Sequence, residues 1–134
     1  NEYYQHIQQM ANQDSRVILT GFIQGQALKE LYSNAYIYVL PSDLEGMPMS
    51  LLEAMSYGNC CLTSDIPECA EVVEDHAVTF HKSDVADLTA KLSDLLADPS
   101  RVAELQATAV NYITQKYNWD KVVDQTLALY KATE

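Results

Sequence analysis

Basic side chains are scarce. Lys and Arg number 8 against 19 Asp and Glu, a formal net charge of −11, and no Lys or Arg falls between Lys29 and Lys82. That balance argues against nucleic acid and an anionic membrane as partners for this face. A diphosphate bound along that stretch could be held only by backbone N–H groups and the dipole of a helix N-terminus. Cysteine is also short. The 3 residues make no disulfide framework and no zinc spacing. Cys60 and Cys61 are adjacent in a short apolar run, so a strand would point them to opposite faces; with Cys69 they read as reduced, buried thiols. His6, His76 and His81 have no partner spacing for a metal, and none is expected. No run approaches the roughly 20 apolar residues of a membrane-spanning helix, and no signal peptide is visible. A cytoplasmic location is expected, in solution or at the cytoplasmic face of a membrane. Repeats, low-complexity tracts and internal linkers are missing too.

What remains suits one domain, residues 1–134, large enough to bury a proper core. Strands are expected near Val17–Thr20, Tyr36–Leu40, Cys60–Thr63 and Ala77–Phe80, and helices near Glu2–Ala11, Gln26–Ser33, Pro48–Tyr57 and Glu68–Glu74. This alternation calls for an α/β fold, a mainly parallel sheet with flanking helices. After Lys82 the pattern becomes all-helical. Asp84–Ala97 carries Val85, Leu88, Leu92, Leu95 and Leu96 on one stripe, with Ser83 or Asp84 as cap. Asp98-Pro99 breaks it. A second helix to Lys116 turns Val102, Leu105, Ala109, Tyr112 and Ile113 inward. Asn118 would cap a last helix bearing Val122, Val123, Thr126, Leu127 and Tyr130.

The segment from Pro41 to Gly58 is the most informative. It follows the apolar run Ala35–Leu40, a buried strand closed by Pro41. Glu45 then lies in a loop, Pro48 at the first position of a helix, where its missing N–H costs nothing, and Gly58 at the stop. Glu53, with seven residues between it and Glu45, falls in the second turn, its side chain leaning toward the helix N-terminus. Two carboxylates and a helix N-terminus would thus converge where open α/β sheets bind ligands. Spacing alone leaves Glu53 equally an ordinary half-exposed helix residue and Glu45 a partner of the helix dipole.

These residues resemble the donor-site pattern of the retaining group-1 glycosyltransferases, enzymes of two Rossmann-like domains facing across a cleft. The resemblance continues through Val17–Ile23, Leu28–Ala35, Leu62–Pro67 with Glu71, and Tyr117-Asn118-Trp119. It implies a Rossmann-like C-terminal, nucleotide-sugar-binding domain that lacks its first strands, with the acceptor-binding N-terminal domain absent. In the sheet the missing strands would lie between the Val17 and Tyr36 strands, leaving a gap or an exposed edge. The full-length enzyme would move a hexose from a nucleotide-diphosphate sugar to a glycan or lipid-linked acceptor, as in polysaccharide biosynthesis. The nucleotide sugar is a substrate, and no cofactor is implied.

By the same resemblance Glu53 would bond the ribose hydroxyls of the donor. Glu45 would contact the transferred sugar near the reacting carbon. Gly46, Met47 and Met49 would offer backbone contacts, Gly21 and Phe22 the base-binding edge, and Ser64 a further donor contact. Pro48 stands where the family usually has a second glycine, and Pro67-Glu68-Cys69 where it has Gly-Gly. A non-catalytic nucleotide-sugar-binding or purely structural Rossmann-like module is the alternative reading.

Overall fold

A computed structural model describes residues 1–118, 124, 127–129 and 131–132. The chain divides into two compact units, Asn1–Glu30 and Leu31–Glu134. In the first, helix α1 (Glu2–Asn12) starts at Asn1, whose side chain accepts from the Tyr3 N–H, and it buries no residue. Asp14 and Arg16 follow as an ion pair of 2.7 Å. That guanidinium holds the Asp14 carboxyl below the usual range.

Residues 17–20 do not form the expected strand. Val17, Ile18 and Leu19 are exposed, Ile18 by 79%. A strand needs a neighbour for its row of N–H and C=O groups. No strand among the described residues pairs with this one, and the Val17 N–H turns back to Asp14 O at 3.0 Å. Gly21 follows at φ +67°, a turn conformation that glycine adopts without strain. Helix α2 (Gly25–Asn34) agrees with the pattern within a residue.

The second unit holds a three-stranded parallel sheet in the order β1-β2-β3, with β1 Ile37–Leu40, β2 Cys60–Ser64 and β3 Val78–Phe80. The register runs from Ile37↔Cys60 to Leu40↔Thr63 and from Leu62↔Val78 to Ser64↔Phe80. Strand β2 is buried throughout, as a central parallel strand covered on both faces must be. Strand β1 is an edge among the described residues.

Side-chain alternation on β2 builds two cores. Cys61 packs with Leu51, Met55, Cys69 and Val72 on one face, under α3 (Met49–Ser56) and α4 (Pro67–Val73). Cys60 and Leu62 pack with Phe80, Leu95 and Leu105 on the other, under α5 (Val85–Ala97). Helix α6 (Pro99–Lys116) serves both, giving Val102 and Leu105 to the second core and Ala109 and Ile113 to the first. All three thiols are free and buried. Burial pushes the Cys61 thiol up to about 12.

Helix α3 ends in a left-handed glycine cap. Gly58 sits at φ +79°, its N–H bonding Met55 O at 3.0 Å, while the Asn59 N–H bonds Ala54 O at 3.1 Å. Pro48 lies one residue earlier than expected, at the N-cap, and is fully buried. On α5 the stripe is narrower than expected: Leu95 is buried and Leu88 and Leu92 are half-buried, but Val85 and Leu96 are exposed. Leu96 directly follows the buried Leu95, and adjacent residues on a helix cannot share one narrow face. Asp84, and not Ser83, caps α5, accepting from the Asp87 N–H at 2.9 Å. Of the expected last helix, Val122, Val123, Thr126 and Tyr130 lie outside the described residues, and Leu127 is helical and exposed.

Candidate functional site

The site begins where the β1–β2 ladder stops. Beyond Leu40↔Thr63 the chain meets Pro41, which has no N–H to continue the pairing. Side-chain hydroxyls take over. Thr63 Oγ1 donates to Leu40 O at 3.2 Å, and Ser64 Oγ donates to Ser42 O. One residue on, Asp43 Oδ1 accepts from Ser83 Oγ at 2.8 Å, across from the corner after β3. The loop leaving β1 is therefore tied laterally to the ends of both other strands.

Glu45 sits on that tied loop, half-buried. Its Oε1 accepts from Ser42 Oγ at 2.6 Å, and Oε2 has no hydrogen-bond partner among the described residues. The carboxylate is near enough to Tyr38 and Cys69 to help raise their pKa values, though burial is the larger cause in both. The phenol of Tyr38 donates to Ser50 Oγ at 2.7 Å in the first turn of α3. Glu45 and the start of α3 thus stand together at the C-terminal end of the sheet, as the spacing predicts.

Gly46 and Met47 are exposed on the same loop. Gly46 has open space where a Cβ would be. The Met49 N–H is bonded to Met47 O at 2.8 Å, and the Leu51 and Leu52 N–H groups share Pro48 O. Of the backbone donors expected for a ligand, Met49's is already used inside the loop. Ser64 is also committed: it is 1% exposed, with its hydroxyl on Ser42 O. The resemblance implies a donor contact for Ser64; its hydroxyl is bonded to the loop that carries Glu45.

Glu53 has different surroundings. It is exposed on α3 and lines a cavity of 240 Å³ with Leu52, Ser56, Ile113, Thr114 and Tyr117, between α3 and α6. Its neighbour across from α2 is Tyr32. Burial, then Tyr38, then the charge and hydrogen bond of Glu53 push the Tyr32 phenol up to about 12. Tyr32 stacks on Tyr57 at 5.4 Å, and its ring lies 6.0 Å from that of Tyr38. Two phenols therefore stand between the surroundings of Glu53 and those of Glu45. The 3.6-residue period placing Leu31 and Tyr32 on different faces of α2 was the available signal for Tyr32.

The other expected residues divide. Gly21 and Phe22 belong to the first unit, and Phe22 is 88% exposed. Glu71 is exposed on α4, where its carbonyl accepts from Lys116 Nζ. His81 Nδ1 and Asp65 Oδ2 pair at 2.9 Å, and Asp65 Oδ1 also takes the Lys82 N–H at 3.0 Å. His76 stacks flat on Tyr112 with ring centres 3.7 Å apart. Its Nδ1 lies 2.9 Å from Asp75 Oδ1, but at an angle that makes no hydrogen bond. Among the described residues no group of three or more His, Cys, Asp or Glu could hold a metal ion, and no helix is long and apolar enough to cross a membrane.

The chain is similar to known proteins. Residues 1–116 match the family described as glycosyl transferases group 1. An uncharacterised glycosyltransferase of Methanocaldococcus jannaschii is 26% identical over 118 residues, which is 87% of this chain and 30% of that protein. The serotype-specific mannosyltransferase WbdA of Escherichia coli is 33% identical over 105 residues, 78% of this chain and 13% of that protein. The chain thus spans under a third of the length of these relatives. A sucrose-phosphate synthase from Thermosynechococcus elongatus superposes with a TM-score of 0.83 at 24% identity, over 98% of this chain and 34% of that one, and so shares the fold. With a match running from the first residue to the end of α6, this chain belongs to the group 1 glycosyl transferases.

Proposed function

We propose that this chain is the donor-binding part of a retaining glycosyltransferase, which moves a hexose from a nucleotide-diphosphate sugar to a glycan or lipid-linked acceptor. The observation that carries the reading is Glu45, held by Ser42 at the C-terminal end of a parallel strand and beside the start of α3. That is where open α/β sheets take their ligands.

In this reading Glu45 positions the transferred sugar and stabilises the positive charge that builds on it as the bond to the diphosphate breaks. A covalent role is not assigned to it. The acceptor attacks from the face the diphosphate leaves, with the departing diphosphate assisting, so configuration is retained. Glu53 accepts from the two ribose hydroxyls, a task that suits a carboxylate because it takes two charge-assisted O–H bonds at once. Gly46 and Met47 present backbone N–H groups to the diphosphate near the helix N-terminus. Met49 contributes its position, its amide being engaged by Met47 O. Gly21 and Phe22 form the edge for the base. Cations for the diphosphate come from outside residues 30–81, which contain none, and the acceptor is held by the rest of the longer protein.

Calorimetric titration with a panel of nucleotide-diphosphate sugars tests the donor role. One donor should bind the protein that carries this chain. Glu53→Ala should weaken it by roughly 1.5–3 kcal/mol, the range for hydrogen bonds to a charged group. Equal affinity in the variant would remove Glu53 from the site, and no binding of any donor would favour a structural module.

A further inference from the structure

Among the described residues Glu45 is held by one hydrogen bond, and that bond comes from a residue with its own support. Ser42 Oγ donates to Oε1 at 2.6 Å, a short, charge-assisted contact. The carbonyl of Ser42 in turn accepts from Ser64 Oγ, which is buried at the end of β2. Ser42 is half-buried, and the next residue, Asp43, is clasped by Ser83 at 2.8 Å. Pro41, just before, cannot add a backbone donor. Three side-chain hydroxyls therefore tie the loop from Ser42 to Glu45.

We propose that Ser42 is a positioning residue for Glu45, with Ser64 as its support: the two hydroxyls form a relay that carries the rigidity of buried β2 to one oxygen of an otherwise half-exposed carboxylate. The inference rests on the reading of Glu45 as the group that faces the transferred sugar. A glutamate on a loop loses rotamer freedom when it is held, and that loss opposes binding. Ser42 removes the cost before substrate arrives. It occupies Oε1 and leaves Oε2, which has no hydrogen-bond partner among the described residues, for the sugar. Sites of this kind lose rate when a group shifts by a fraction of an ångström, so the relay acts on turnover more than on donor affinity. Ser64 thereby has a task that explains its burial without any contact to the donor.

Steady-state kinetics of the full enzyme carrying this chain decide the point, using Ser42→Ala, Ser42→Cys, Ser42→Thr, Glu45→Gln and the double variant Ser42→Ala/Glu45→Gln. Ser42→Ala should lower kcat by about 10- to 100-fold, with donor KM within about threefold. Ser42→Thr keeps a hydroxyl and should recover most of the rate, and Ser42→Cys, a weak donor, should fall between. In the Glu45→Gln background Ser42→Ala should cost little more, because the relay has lost the charge it serves. A full second loss in the double variant, or a normal rate in Ser42→Ala while Glu45→Gln is slow, overturns the relay. A normal rate in Glu45→Gln itself is the separate failure, that of the parent reading. Should Ser42→Ala fold poorly, the order of Ser, Thr and Cys still decides: equal rates in all three overturn the proposal.

Discussion

Asn59 and Tyr32 are joined across 27 residues of sequence by one side-chain amide. Asn59 Nδ2 donates to the Tyr32 carbonyl and to the Ala54 carbonyl, each at 3.0 Å. The first bond fixes the end of α2, from which Tyr32 reaches toward Glu53; the second closes the last turn of α3, which carries Glu53. One buried amide therefore sets the separation of two groups in the candidate site.

Asn59→Leu keeps the volume and removes the donor. Asn59 is 3% exposed, so the Tyr32 carbonyl loses a partner that water cannot readily replace, while the Ala54 carbonyl keeps the Asn59 N–H at 3.1 Å. Stability should fall by about 1–3 kcal/mol, read as a lower urea midpoint with an unchanged slope. A midpoint equal to that of the parent protein would show that the amide is not needed to satisfy the Tyr32 carbonyl.

The three thiols should be silent in the folded protein. Burial is the first cause raising the pKa of Cys60, Cys61 and Cys69, so little thiolate exists at neutral pH. Alkylation followed by peptide mapping should leave all three unmodified under native conditions and label all three in denaturant. Rapid native labelling of Cys61, at 0% exposure, would contradict the packing described for the β2 face.

The His81–Asp65 pair predicts a pH window. Its hydrogen bond to Asp65 raises the His81 pKa from 6.5, and the same bond, with the Lys82 N–H, lowers that of Asp65 from 3.8. The histidine contribution is full below its unfolded value of 6.5 and is lost as pH rises through the higher folded value. The aspartate contribution is full above its unfolded value of 3.8 and is lost as pH falls through the lower folded one. Between those limits the clip joining the ends of β2 and β3 is complete. NMR titration should find His81 above 6.5 at low salt, returning toward it in Asp65→Asn and in high salt, because both groups are solvent-exposed. An unshifted His81 in the parent protein would remove the clip.

Much of this fold is legible in the sequence, and the exceptions share a cause. β1, β2 and β3 and helices α1 to α6 follow from local pattern: apolar runs, the Pro41 stop, the Gly58 stop and the Asp98-Pro99 break. The opposed faces of Cys60 and Cys61 follow from the two-residue period alone. Residues 17–20 have an equally good strand pattern and fail, because a strand is completed by its neighbours and local sequence does not supply them. The site divides the same way. Glu45 and the N-terminus of α3 fall where spacing puts them. The tasks of Ser64, Asn59 and Tyr32 depend on contacts 22 to 27 residues away, and a one-dimensional pattern carries no trace of these. Met49 shows another limit: it opens α3, but its N–H is taken by Met47 O in a turn that no motif announces.

The most direct test of the account is the turnover rate of the full enzyme with Glu45→Gln under saturating donor. The substitution keeps the size of the side chain and most of its hydrogen bonding while deleting the charge. Stabilisation of a developing positive charge should then be lost, so kcat should fall by about 100-fold or more with donor KM changed less than about threefold. An unchanged kcat, with stability lower by only a few tenths of a kcal/mol, would show that Glu45 serves the α3 dipole and not the transfer.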